Sequence, residues 1–429
     1  MSAVTSSGAA NAADAKAEPA RAGHPFEYPC FDGLRAIAVV SAMLGHVGFV
    51  SGAEFGKRGE WYAPLVARLE MGPAIFFMMS GFLLYRAYCS AAFSGRAPTP
   101  TRLFFRRRAL RIVPAYWIAL TGTLLLHHAT TIATAGHPAG QNGGFGSYTG
   151  KQLLSIFSLT HIYSRHWFFA GLSQSYTLAV EITFYLMLPA YALLLRRLGA
   201  GRDPDARLRL ELWAAALLYV ISLGWRTLVF YGGVFPQIAQ HWLPAYLDIF
   251  GLGIALAAVH VWSAETGRRI EVLDWLGRHA DLCLTIALAC FLFVTLCLDL
   301  PRLIVDVTGP RAYARSFLHS IGALFLVLPA VFGPQDVSLY RRFLRFRPVV
   351  YVGLVSYGAY LWHNNFLEQT RQWAGFPVFN GSFILLLTVT FSFAVVVASA
   401  SYFFVELPIL KLRDRPLFPR RRPKPVASS

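Results

Sequence analysis

Charged residues are scarce in this chain, and acidic residues are the scarcest of them. Only 14% of its 429 residues are charged, including 22 Asp or Glu, whereas soluble domains carry about a quarter. Hydrophobic residues make up 55% of the chain, and the mean hydropathy is +0.47. This composition excludes an ordinary soluble domain. Continuous apolar runs of about 20 residues predict an all-α polytopic membrane protein.

Several chemical signatures are missing from the sequence. The five cysteines form no CxxC pair and no zinc spacing, so neither a metal site nor redox chemistry is expected. A P-loop, a dinucleotide fingerprint and a G-x-S-x-G elbow are also missing, so nucleotide hydrolysis and serine-hydrolase chemistry have no support. The net charge of +17 has a simpler explanation in membrane topology than in nucleic-acid binding.

The apolar runs predict about ten transmembrane helices with both termini in the cytoplasm. The expected spans are 31–51, 71–90, 112–129, 175–195, 210–231, 245–262, 281–300, 316–333, 349–370 and 381–405. Segments on one side of these spans contain 27 Lys or Arg, and segments on the other side contain 9. Because cytoplasmic loops are enriched in Lys and Arg, the first side is assigned to the cytoplasm.

This topology divides the chain into three parts. We expect a disordered N-terminal tail at 1–27, a membrane domain at 28–410 and a basic cytoplasmic tail at 411–429. The predicted location is the inner, cytoplasmic membrane of the cell. The long loop 130–174 is expected outside, where Trp167 and its aromatic neighbours either stack on sugar rings or form an interfacial belt.

Arg35 and His46 stand eleven residues apart in the first apolar run, FDGLRAIAVVSAMLGHVGF. Eleven residues make about three helical turns, so the two side chains share one face and lie about 16 Å apart along the axis. Ionisable groups inside a membrane helix indicate a functional site. The alternative is that Arg35 reaches the lipid headgroups while His46 forms a bond between helices.

Four ionisable residues from four predicted spans lie at similar estimated depths. With a rise of about 1.5 Å per residue, His46, Glu181, Asp248 and His363 all fall in the outer third of the membrane. Because an unpaired charge in the membrane is costly, these groups either line one wet cavity or form separate bonds between helices.

Basic residues are concentrated at the opposite, cytoplasmic side. The stretch TRLFFRRRALRIVP contains Arg108 and Arg111, which are three residues apart and project together from a helix. With Arg35 they form a basic vestibule suited to phosphate groups, although membrane anchoring explains such arginines equally well. A vestibule of this kind and an acid–base cluster beyond it fit a coenzyme A thioester threaded through the helices.

Short motifs along residues 28–412 resemble the acyltransferase 3 family of membrane O-acyltransferases. They are FDGLRAIAVVSAMLGH, FFMMSGFLLY, RRALRIVPAYW, SYTLAVEITFYLMLP, GLVSYGAYLWH and SYFFVELPI. The resemblance implies a ten-helix core that moves acyl groups, usually acetyl, from cytoplasmic acyl-CoA to sugar hydroxyls across the membrane. Some members carry an additional esterase-like domain, where this chain has only its basic tail.

These observations together predict an acyl-CoA-dependent O-acyltransferase that modifies an envelope glycan or glycolipid. His46 is expected to act as a general base or to carry the acyl group, with Glu181 orienting its imidazole or handling a proton. No permanently bound cofactor is expected. The other expected substrate-binding residues are Arg35, Arg108, Arg111, Asp248, His363 and Trp167.

Two alternatives remain open from the sequence. A secondary transporter of an anionic metabolite or a lipid-linked sugar would use the same cavity and the same arginines without chemistry. A non-catalytic scaffold leaves the polar cluster unexplained.

Overall fold

The computed structural model describes residues 28–56, 61–125, 148–301, 307 and 309–412. These residues form helices and connecting turns, and no strand occurs among them. The predicted all-α fold is therefore confirmed. The tail at 1–27, most of the tail at 411–429 and the glycine-rich part of loop 130–174 lie outside the described residues, so the predictions made for them stay predictions.

Ten helices of at least 17 residues occur in the described part of the chain, and each coincides with a predicted span. They are α1 (Phe31–Ser51), α2 (Gly72–Phe93), α3 (Thr101–Leu125), α4 (Tyr176–Leu198), α5 (Pro204–Phe230), α6 (Leu247–Thr266), α7 (Ala280–Leu296), α8 (Gly309–Val331), α9 (Ser356–Trp373) and α10 (Phe383–Ser401).

Not all ten helices are apolar enough to be recognised as membrane spans. Seven segments, built around α1, α2, α4, α5, α6, α8 and α10, have the necessary length and composition. An eighth results if α7 is joined to the short helix Glu271–Arg278, from which it is bent by 90°. The remaining two, α3 and α9, carry the predicted site residues Arg108, Arg111 and His363. A multi-pass membrane protein is confirmed, while its orientation stays a prediction.

The third predicted span begins too late. α3 starts at Thr101 rather than at 112, so Arg108 and Arg111 lie within the helix, in its second and third turns. Arginine is a good helix former, and its long side chain lets the helix continue through a basic stretch.

Glycines allow α2 and α6 to pack with their backbones in contact. A Cβ atom on Gly81 would lie 2.5 Å from the carbonyl oxygen of Phe250, and one on Gly253 would lie 2.3 Å from that of Met78. Small residues at such crossings are how membrane helices gain close packing. α2 also packs against α1, and α1 in turn packs against α9 and α10.

The segment that precedes α4 folds into the bundle instead of staying at its surface. Ser173, Gln174 and Ser175 are buried, and the Gln174 side-chain amide donates a hydrogen bond of 2.8 Å to the backbone carbonyl of Leu361 in α9. The Tyr360 hydroxyl donates a further hydrogen bond of 2.9 Å to the carbonyl of Gln174. The start of α4 is consequently held at the level of the centre of α9.

Candidate active site

A pair of histidines joins α1 to α9. His46 Nδ1 lies 2.7 Å from His363 Nε2, and the two rings are nearly parallel, with an angle of 3° between their planes. The sequence predicted that these two residues lie close together, and their 2.7 Å contact confirms this. Sequence reasoning had not identified the direct contact between them, because it depends on how α1 and α9 pack.

Hydrogen bonding determines which nitrogens carry the protons. His363 Nδ1 lies 2.7 Å from the backbone carbonyl oxygen of Tyr360, and a carbonyl can only accept. His363 Nδ1 therefore carries a hydrogen, and in the neutral ring Nε2 accepts the hydrogen bond donated by His46 Nδ1. In this arrangement Nε2 of His46 carries no hydrogen, which is the form that a general base requires.

His46 lies in the wall of a cavity of about 310 Å³, which we call the large cavity. Its walls combine aromatic, acidic and basic side chains. The residues used below are His46, Glu54, Arg68, Glu70, Phe168, Phe169, Tyr176, His241, Arg315 and Tyr360.

Three of the charged groups in the large cavity are held by partners. Glu70 forms an ion pair of 3.2 Å with Arg315, and Arg68 donates hydrogen bonds of 2.5 and 2.9 Å to the carbonyls of Leu300 and Pro301. These pairings hold the side chains of the cavity wall in place. They do not involve His46 or Glu54, which lie in the same wall.

Glu54 is the second acidic group in the described wall of the large cavity, and sequence reasoning missed it. It lies in the short turn Ala53–Phe55 after α1, with only 8% of its surface exposed. Burial raises the pKa of its carboxyl group to about 8, although the nearby Arg68 opposes the shift. No sequence pattern marks this residue, because it lies between two apolar runs in an ordinary turn.

A second, smaller cavity of about 60 Å³, the small chamber, lies next to the large cavity. Three residues, Ala42, Pro73 and Tyr360, line both spaces. The rest of the small chamber is mainly apolar, formed by Ala38, Phe76, Phe77, Thr177, Leu178, Glu181 and Tyr357. Ala38 and Ala42 lie on α1 between Arg35 and His46, so small side chains separate the two predicted site residues.

Glu181 does not orient His46, which corrects the role predicted for it. Its carboxylate accepts hydrogen bonds of 2.5 Å from Ser80 and from Tyr185, and it lines the small chamber rather than the large cavity. Glu181 lies five residues after the first residue of α4, and the segment that leads into this helix is held against α9.

Glu181 belongs instead with the predicted arginines. Its charge acts on Arg35 and Arg108, and Arg111 acts on both of these guanidinium groups. Arg35 also pairs with Asp32 one turn earlier in α1. The predicted grouping of Arg35, Arg108 and Arg111, the arginine cluster, is therefore present in the structure.

Asp248 has a structural partner that sequence reasoning did not identify. Its side chain is fully buried, pairs with Arg226 of α5 at 3.0 Å and accepts a hydrogen bond from Ser320 of α8 at 3.4 Å. It is absent from the walls of both cavities described above. The predicted convergence of Asp248 with His46 is therefore wrong, because Asp248 faces α5 and α8.

Trp167 stands beside the large cavity rather than in its described wall. The ammonium group of Lys151 lies 5.8 Å from the centre of its ring. Its neighbours Phe168 and Phe169, together with Tyr176, line the large cavity in its place. From the sequence these aromatic neighbours were considered together with Trp167, and Trp167 is the one of these four that lies outside the described wall.

The profile of the acyltransferase 3 family, described as an acyltransferase domain, matches residues 28–403. The chain belongs to this family. It is 25% identical over 402 residues to peptidoglycan O-acetyltransferase OatA of Listeria monocytogenes, covering 89% of this chain and 56% of the relative. It is 25% identical over 406 residues to putative peptidoglycan O-acetyltransferase YrhL of Bacillus subtilis, covering 89% and 54%.

A third relative, O-acetyltransferase OatA of Staphylococcus aureus, is 24% identical over 412 residues, with 90% of this chain and 58% of the relative covered. The chain thus spans somewhat more than half the length of the curated relatives it matches. No solved structure matches it.

Proposed function

We propose that the chain is a membrane O-acyltransferase that moves an acyl group, most simply acetyl, from acyl-CoA to a hydroxyl of a cell-envelope glycan. The observation that carries this proposal is the hydrogen-bonded chain from Tyr360 through His363 to His46, which leaves a basic nitrogen at the wall of the large cavity. Membership of the acyltransferase family supports the same reaction class.

The reaction follows from the position of that nitrogen. His46 Nε2 takes the proton of the acceptor hydroxyl while the hydroxyl oxygen attacks the thioester carbonyl carbon. A carbon–oxygen bond forms, the carbon–sulfur bond breaks, and the proton passes from His46 to the departing thiolate. His363 holds the imidazole in the reactive tautomer throughout, as a positioning residue.

The donor enters, in this proposal, from the side of the arginine cluster. Arg35, Arg108 and Arg111 bind the phosphates of coenzyme A, and the Nε atom of Arg108 is buried without an acceptor among the described residues. Guanidinium groups suit phosphate oxygens because they can donate two parallel hydrogen bonds. The arginine cluster then lies on the cytoplasmic side, where acyl-CoA is made, and the protein resides in the inner membrane.

The acceptor occupies the large cavity. Phe168, Phe169 and Tyr176 offer faces for sugar rings, and Glu54 offers a carboxyl group for their hydroxyls. The relatives that are named for peptidoglycan support a glycan strand as acceptor over a glycolipid. Asp248 takes no part in this scheme and is assigned to the stability of the helix bundle.

Reconstituted proteoliposomes with radiolabelled acetyl-CoA and glycan fragments test the proposal. We expect label in the glycan, bound as an ester that mild alkali releases. Uptake of an unmodified solute without ester formation would instead establish a transporter.

The proposed orientation has its own test. Single cysteines placed at the exposed positions Thr149, Lys151 and Ser158 should react with an impermeant thiol reagent in intact cells, and cysteines in the 411–429 tail should not. The reverse labelling pattern would place the arginine cluster outside the cell and remove the donor path.

A further inference from the structure

The small chamber lies where the acyl end of a donor would have to stop. On one side it includes Glu181, whose charge acts on Arg35 and Arg108 of the arginine cluster. On the other side it shares Ala42, Pro73 and Tyr360 with the large cavity. A group held in the chamber therefore lies between the proposed phosphate site and the cavity that contains His46.

The walls of the chamber suit a hydrocarbon group. Phe76, Phe77, Leu178 and Tyr357 contribute apolar surface. The single ionisable side chain in its described wall besides the tyrosines, Glu181, already accepts hydrogen bonds from Ser80 and Tyr185. An acyl chain gains from such surroundings because its apolar surface leaves water.

The size of the small chamber limits the length of the acyl chain that it can hold. Its volume is about 60 Å³, whereas an engineered apolar cavity of about 150 Å³ holds a benzene ring of six carbons. By this proportion the chamber has room for two or three carbon atoms. Closely packed side chains shift little to admit extra atoms. Additional methylene groups of the acyl chain would therefore clash with the aromatic side chains of the chamber wall.

We infer that the small chamber binds the acyl end of the donor thioester and restricts it to two or three carbons, with Phe76 as the main barrier to longer chains. This inference rests on the proposed function and names the donor class for the same site. Phe76 is chosen because it is only partly buried, so shortening it enlarges the chamber without emptying the packed core. Phe77, in contrast, packs tightly on Tyr246 and Phe250.

The test compares acetyl-, propionyl-, butyryl- and hexanoyl-CoA as donors for the full chain in proteoliposomes. The wild type should use the first two and discriminate against butyryl by roughly tenfold or more, as a misfitting methylene does in an apolar pocket. Phe76→Ala should raise the ratio of butyryl to acetyl transfer by about tenfold, and Phe76→Leu by less. Ala38→Val should narrow the chamber and reduce propionyl transfer more than acetyl transfer.

Phe93→Ala is the matched control, because Phe93 is a partly buried phenylalanine at the far end of the same helix. Its chain-length profile should equal that of the wild type. An unchanged profile in Phe76→Ala and Phe76→Leu, with acetyl transfer retained, would overturn the chamber assignment and leave the proposed function standing. Wild-type protein that transfers hexanoyl as well as acetyl would also overturn the chamber assignment and leave the proposed function standing. Wild-type protein that neither transfers nor binds any acyl-CoA would overturn both the chamber assignment and the proposed function.

Discussion

The large cavity and the small chamber share three wall residues, but their other walls differ in chemistry. The large cavity, of about 310 Å³, contains His46, Glu54 and the Glu70–Arg315 ion pair, and it is rich in hydrogen-bonding groups. The small chamber, of about 60 Å³, presents mainly apolar side chains. A polar acceptor suits the first space and an acyl group suits the second.

This difference explains why the two predicted catalytic residues are separated. His46 lines the large cavity and Glu181 lines the small chamber, so among the described residues the hydrogen-bonding partner of His46 is not the Glu181 carboxylate. The partner is another neutral imidazole, that of His363. An imidazole pair avoids placing an isolated carboxylate beside His46 in the membrane, where an unpaired charge is costly.

His46→Ala should give the largest effect if the large cavity is where the chemistry occurs. We expect transfer to fall by at least about a hundredfold, the usual contribution of a positioned general base. Expression and membrane insertion should be unchanged. The control is His279→Ala, which removes an exposed histidine that contacts only its own helical turn. Near-normal turnover in His46→Ala would make the histidine pair a structural contact between α1 and α9.

His363→Ala should come next, because it removes the acceptor that fixes the His46 tautomer. The expected loss is roughly tenfold to a hundredfold in kcat, with little change in KM for either substrate. His363→Gln should recover part of this loss, since its amide oxygen can accept the same hydrogen bond. A role in packing alone predicts equal losses for both variants and an unshifted pH profile of kcat, and this result would disprove the positioning role.

Regular helix geometry accounts for what the sequence could predict. The eleven-residue spacing placed Arg35 and His46 on one face of α1, and both face the path that includes Ala38 and Ala42. That inference needed only helical geometry. Seven of the spans, or eight with the bent pair, were found for a similar reason, since long apolar segments dominate a membrane protein sequence.

The errors arose where position depends on neighbouring elements. Glu181 was misplaced because its helix begins at a buried segment held by α9, which no local pattern reveals. Asp248 was assigned to the wrong group because its partner Arg226 lies on another helix. Glu54 was missed because a turn between two spans carries no periodic signal. Each case depends on packing between helices rather than on any one of them.

Arg108→Lys and Arg111→Lys test the donor side of the comparison. Lysine retains the charge and the membrane anchoring but loses the paired hydrogen bonds to phosphate. We expect KM for acyl-CoA to rise about tenfold, with KM for the acceptor unchanged. Arg102→Lys, an exposed change on the same helix, serves as control. Wild-type donor affinity in both variants would identify these arginines as anchors and move the donor site elsewhere.

Glu54 should give the smallest effect on activity and a distinct effect on stability. Because burial raises the pKa of its carboxyl group to about 8, it is mostly neutral at pH 7, and Glu54→Gln resembles that form. Glu54→Ala should therefore raise KM for the glycan by roughly fivefold, which corresponds to the loss of one modest hydrogen bond. Glu54→Gln should raise it by less. KM for acyl-CoA should be unchanged in both variants.

The effect of Glu54 on stability follows from the same upward shift of its pKa. The folded state binds the Glu54 proton more tightly than the unfolded state, whose carboxyl keeps its ordinary pKa of about 4.5. Its contribution to stability is complete below that value and declines as the pH rises towards 8. Melting curves in detergent from pH 5 to 8 should therefore show the wild type losing stability relative to Glu54→Gln. Glu368→Gln offers a control, because that carboxylate is paired with Arg371 at 2.5 Å. A constant difference between wild type and Glu54→Gln across this range would mean that Glu54 is ionised in the folded protein and meets the acceptor as an anion.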